Sequence, residues 1–168
     1  MTIKIKVDAL TFEFDNTWSV SKYDHWQFYR QFRRIRNGIK ATDLLAVSDD
    51  SIAYLIEVKD YRAHGRSKPS EVSDEVIAKV FDTLAALVPA RINATDKQER
   101  HVAGAVARSD RLRVVLHLEQ PAKHSKLFPR AIDPADVEQK LKQGLKPIDA
   151  HPKVSEISRM RDLPWAVF

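Results

Sequence analysis

The stretch TDLLAVSDDSIAYLIEVKD, residues 42–60, decides the fold. Two apolar runs, 39–47 and 52–60, lie on either side of SDDS (48–51), a pattern that predicts a β-hairpin. If Asp49, Asp50 and Ser51 form a three-residue loop, Ser48 pairs with Ile52. Asp43 then stands directly opposite Glu57, at a Cβ separation of about 4.5–5.5 Å. Lys59 follows two residues along the same face. A two-residue loop moves the register by one, sets Asp43 against Ile56 and dissolves this constellation. One face carries Leu44, Ala46, Ile52, Tyr54, Ile56 and Val58; the Asp43 face carries Leu45, Val47, Ala53 and Leu55. Apolar residues on both faces predict a strand pair buried on both sides. Charges at the end of such a pair are costly unless they are paired or hold a cation, and two facing carboxylates repel each other. The alternative is that the Glu57–Lys59 edge faces water and carries no site.

Outward from this hairpin, Ile3, Ile5 and Val7 alternate with Lys4 and Lys6, and Leu10, Phe12 and Phe14 alternate through residues 10–15. These runs predict an N-terminal hairpin over 2–15, turned near Asp8. Residues 21–36 read as a helix capped by Ser21, with Phe28, Phe32 and Ile35 on one face and Arg30, Arg33 and Arg34 opposite. Asn37-Gly38 ends it. A polar loop over 61–70 leads to a helix over roughly 71–88 that Pro89 ends or bends. Its wide apolar stripe contains Val76, Ile77, Val80, Phe81, Leu84, Leu87 and Val88. A further helix over 95–108, interrupted by Gly104, precedes a strand over 111–119. Residues 121–134 read as mostly loop, and a short helix over 134–143 starts at Pro134 with Asp133 as its cap. The order ββ, α, ββ, α, α, β, α predicts an α/β domain with a central mixed β-sheet flanked by helices.

The chain has 168 residues, which suits a single domain. It contains no cysteine, so disulfides, thiolate metal sites and a cysteine nucleophile are excluded. Its 28 Lys and Arg against 23 Asp and Glu give a net charge of +5, a modest bias toward anionic partners. The N-terminus lacks the continuous apolar segment of a secretory signal, and no apolar run reaches the ~18–20 residues that span a bilayer. A cytoplasmic location is the expectation. The six histidines show no zinc spacing. Four glycines are too few for a phosphate-cradling loop of Walker or dinucleotide type.

The pair TD (42–43), thirteen residues, then EVK (57–59), on a hairpin that follows a helix, resembles the PD-(D/E)XK nuclease superfamily. IEVKDYR, followed by KVFDTLAAL (79–87), also looks like small bacterial members of that group. The resemblance spans residues 21–119, about 60% of the chain, with 2–15 as an added hairpin and 120–168 as a C-terminal extension. It implies a restriction-endonuclease-like core. It also implies a Mg²⁺- or Mn²⁺-dependent hydrolase that cuts DNA phosphodiester bonds in repair or defence. The second implied reading is an inactive nuclease-fold module that binds nucleic acid or serves an assembly. In the first case Asp43 and Glu57, with the Val58 carbonyl, hold the metal. Asp43, Glu57 and Lys59 form the catalytic set, and Lys59 orients the attacking water or stabilises developing charge. Asp24, Lys79 and Asp82 are accessory candidates. Thr42 stands where the motif expects proline, and the first helix lacks a glutamate. The resemblance further implies a homodimer or a protein partner for cutting both strands.

Arg30, Arg33, Arg34, Arg36 and Lys40 are candidate phosphate contacts, as are Arg62, His64, Arg66 and Lys68 in the loop after the hairpin. DNA is favoured over RNA as the partner. Trp26 and Tyr29 are expected to be core residues rather than base-stacking platforms, and His117 a packed histidine.

Overall fold

A computed structural model describes residues 1–66, 71–122 and 131–168. Strands β1 (Thr2–Val7) and β2 (Leu10–Asp15) form the expected N-terminal hairpin, turned at Asp8 with φ 53°. Strand β3 (Ser19–Lys22) leads through a 3-10 turn (Tyr23–His25) into the short helix α1 (Gln27–Phe32). The central hairpin is β4 (Leu44–Val47) and β5 (Ile52–Asp60). Helices α2 (Val72–Asn93) and α3 (Lys97–Arg108) follow, then β6 (Arg111–Glu119), α4 (Pro134–Gly144), β7 (Lys153–Ser155) and β8 (Ala166–Val167).

The domain is α/β. A five-stranded mixed sheet in the order β3-β4-β5-β6-β7 is antiparallel from β3 to β5 and parallel from β5 to β7. A smaller antiparallel sheet has the order β1-β2-β8. The molecule therefore has three layers. Leu45, Ala53 and Leu55 face a core built with Val76, Val80 and Leu87 of α2, Val102 of α3 and Leu141 of α4. Leu44, Ala46, Ile56 and Val58 face the small sheet, where Phe12, Phe14, Trp18 and Trp165 close a second core. Both faces of the central hairpin are buried, as the double apolar pattern requires.

The hairpin has the three-residue loop. Leu44 pairs with Ile56 and Val47 with Ala53, and the Ser48 N–H donates to the Ile52 carbonyl at 2.9 Å. Ser51 takes the left-handed conformation, φ 61°, that closes a loop of this length.

Several sequence expectations change. Residues 21–36 do not form one helix. Ser21 is strand, paired with Leu45, and its hydroxyl accepts from Trp26 Nε1 at 2.7 Å. The first free N–H groups of α1 are capped from a distance: Glu99 of α3 accepts from Gln27 N–H at 2.7 Å and from Phe28 N–H at 3.1 Å. Because the helix ends at Phe32, Ile35 leaves the apolar face and is exposed. Helix α2 runs through Pro89 to Asn93. The hydrogen bond lost there is the one to Ala85, which lies on the exposed side, where water can replace it. Gly104 does not interrupt α3, which Asp96 caps by accepting from Gln98 and Glu99 N–H. Asp133 caps α4 as expected. Strands β3, β7 and β8 are additions to the expected order. Most of the loop expected over 121–134, and Lys68 of the loop over 61–70, lie outside the described residues.

Candidate functional site

The Glu57–Lys59 edge of β5 faces α2, not water. Past Leu44 the backbone ladder to β5 ends, and the Asp43 carboxylate accepts the Val58 N–H at 2.7 Å in its place. Asp43 thus lies opposite Glu57, and its own carbonyl accepts from Tyr23 N–H at 2.9 Å. Glu57 is 1% exposed. Its Oε1 accepts from Lys79 Nζ at 2.6 Å and lies 3.1 Å from Lys59 Nζ. Lys59 Nζ also donates to Glu75 at 2.7 Å. Arg66 completes the row, donating to the other Glu75 oxygen at 3.0 Å and to the Tyr61 hydroxyl at 2.8 Å.

Burial pushes the Glu57 carboxyl up to about 7, with the Asp43 charge adding to the rise and Lys79 and Lys59 opposing it. Burial also raises Asp43, against the Val58 N–H and Lys79, while Asp24 adds to the rise. For Lys59 burial opposes the charged form, but Glu57 and Glu75 outweigh it and hold the ammonium above its ordinary value. Glu57 Oε2 and Asp24 Oδ1 are buried and have no hydrogen-bond partner among the described residues. The cluster can exchange a proton at Glu57 near neutral pH, between two fixed ammonium groups.

These residues do not fit a divalent ion. Lys79 and Lys59 already supply the countercharge at Glu57, and Asp43 spends an oxygen on backbone. Among the described residues, no group of three or more His, Cys, Asp or Glu side chains is placed to hold a metal.

Other candidates are distributed differently. Asp24 and Lys79 approach the cluster. Asp82 does not join it: it accepts from Arg36 at 3.1 Å and from the Lys40 N–H at 2.8 Å, tying the chain after α1 to α2. Arg30, Arg33, Arg34 and Arg36 are exposed. Arg62 is held by Asp60 at 2.6 Å and 2.8 Å, and Arg66 turns inward. Trp26 and Tyr29 are core residues. His117 is fully buried between the Ser155 hydroxyl at 3.1 Å and Glu119 at 2.9 Å. The sequence reading did not include Glu75, although Glu75 and Lys79 stand at i and i+4, one above the other on a helix face.

No family model and no solved structure matches the chain. It is similar to the cysteine–tRNA ligase of Neisseria meningitidis serogroup A, 28% identical over 94% of this chain. The chain spans 28% of that ligase's length. This finding overturns the nuclease expectation. The similar protein is a tRNA ligase rather than a DNA-cutting hydrolase, and the metal expected at Asp43 and Glu57 lacks a matching ligand set. Among the described residues no helix is long and apolar enough to cross a membrane.

Proposed function

We propose that this chain is an RNA-binding module that serves tRNA aminoacylation and holds tRNA rather than performing the ligation. The observation that carries this reading is the extent of the similarity: nearly all of this chain corresponds to under a third of the ligase, as a self-contained module would. The scarcity of glycine argues against nucleotide activation within the chain itself. The exposed arginines Arg30, Arg33, Arg34 and Arg36, brought together by the short α1 and the turn after it, supply the phosphate-binding surface. Arg36 is oriented by Asp82, and Arg33 lies over the Tyr29 ring at 5.8 Å. The Asp43–Glu57–Lys59–Glu75–Lys79 cluster then has a structural task, fixing α2 against the sheet beside this surface. The order of helix, hairpin, helix and strand, with Asp43 opposite Glu57, supports a PD-(D/E)XK-like scaffold as a statement about fold ancestry.

The test is binding of a tRNA transcript to the full chain across a salt series. Affinity is expected to fall with salt, and an R33A/R34A protein is expected to bind more weakly with a slope shallower by about 2. No binding at low salt, or an unchanged slope in the variant, overturns the reading.

A further inference from the structure

Helix α2 is apolar on two opposite sides. Val76, Val80, Thr83, Leu87 and Ala90 face the core. On the far side Phe81 is 64% exposed, Val88 61% and Ile92 70%, with Ala85 exposed between them and Ala78 half-buried. Residues 74, 78, 81, 85, 88 and 92 are spaced four and three apart in turn, the seam along which one helix packs on another. A surface helix normally carries one apolar stripe and a polar back; one that is apolar on both sides is covered on both. The other exposed large apolar residues among those described, Met1, Ile35, Ile157 and Phe168, form no such row.

We propose that this seam is an interface between two copies of the chain, with the two α2 helices packed antiparallel about a two-fold axis that passes between Phe81 and Ala85 on the exposed side. Volume and charge select this arrangement. Antiparallel pairing in the full-overlap register sets Phe81 against Ala85 of the second copy and Val88 against its Ala78, large against small. A parallel pairing sets Phe81 on Phe81 and leaves Ala85 facing Ala85 across a gap. The exposed Asp74 lies at one end of the seam and the exposed Arg91 at the other. Only the antiparallel pairing brings each beside its opposite charge. A patch that complements itself under two-fold rotation closes as a dimer and does not propagate.

Sedimentation equilibrium of the full chain over a dilution series is expected to show a monomer–dimer equilibrium. V88E is expected to weaken it by at least about tenfold, since it sets a carboxylate in the centre of an apolar contact. Val88 is exposed in the single chain, so at a dilution where both proteins are monomeric the far-UV circular dichroism and melting temperature of V88E should match wild type. The chain has no cysteine, which makes cross-linking specific. A mixture of A78C and V88C proteins is expected to form a disulfide heterodimer, while neither alone does so. In the antiparallel register equal positions lie about 15 Å apart along the axis, beyond disulfide reach. A chain that stays monomeric at every concentration, or a dimer indifferent to V88E, overturns the interface; the monomer would mean that a different polypeptide covers the seam. Cross-linking of either variant with itself, or none in the mixture, overturns the antiparallel pairing.

Discussion

Lys79 of α2 donates to Glu57 of β5 at 2.6 Å, and this contact neutralises a carboxylate that is 1% exposed. Together with Lys59–Glu75 at 2.7 Å, it joins a helix to the central strand through charge, beside the hydrocarbon contacts of Val76, Val80 and Leu87. Removing one partner leaves the other buried without its closest countercharge. K79M is therefore expected to lose about 2–3 kcal/mol in urea unfolding, below the full cost of an orphaned buried ion because Lys59 still lies near. A K79M/E57Q double-mutant cycle should show coupling above about 1 kcal/mol. Additive effects would mean that the pair does not act as a pair.

Stability should depend on pH through Glu57. Its folded value is raised from 4.5 to about 7, so between those values the folded state binds more protons than the unfolded state. The resulting stabilisation is complete below pH 4.5 and is lost as pH rises through about 7. The loss amounts to about 3 kcal/mol at most. E57Q cannot titrate, so its unfolding free energy should be flatter than wild type across this window. Equal slopes for the two proteins would refute the assignment.

Asp43 is expected to act on one amide. D43A leaves the Val58 N–H buried without its acceptor, at a cost of about 1–3 kcal/mol. D43N keeps an acceptor oxygen and should lose less. Hydrogen exchange at Val58 is the direct readout: it should accelerate in D43A well beyond the global loss of stability, and no local acceleration would rule the contact out.

His117 should be intolerant of an apolar replacement. Burial lowers its pKa and keeps the ring neutral between Ser155 and Glu119, with Phe12 packed against it edge-on at 5.4 Å. H117F retains volume but takes the ring nitrogens from the Ser155 hydroxyl and leaves Glu119 only the Ile157 N–H at 2.6 Å, so a loss of about 1–3 kcal/mol is expected by thermal unfolding. A near-native melting temperature would show that this network is dispensable.

The hairpin was legible because its information is local. Apolar runs on both sides of SDDS set the strands, but with both faces apolar a one-residue slip buries as much, so the three-residue loop closed by Ser51 is what brings Asp43 opposite Glu57 with Lys59 along the same face. Asp133 at the start of α4 was equally legible, since a cap and its amides are neighbours in the chain. Helix α1 was not, because its cap is Glu99, more than seventy residues away. The faces of α2 were beyond the sequence for a related reason. Periodicity reports that Val80, Phe81, Leu87 and Val88 are apolar, but not that the sheet covers Val80 and Leu87 and leaves Phe81 and Val88 outside.

By itself, then, the sequence determined an α/β chain with a doubly buried hairpin, because backbone pairing and side-chain alternation are short-range physics, and it left the alignment of the two carboxylates to the length of the loop between the strands. Tertiary structure alone decided what those carboxylates meet. Docking α2 on β5 brings in Glu75 and Lys79, excludes water and supplies ammonium groups at the place assigned to a metal. Charge compensation across a packed interface depends on which surfaces come together, and no spacing along one strand encodes it.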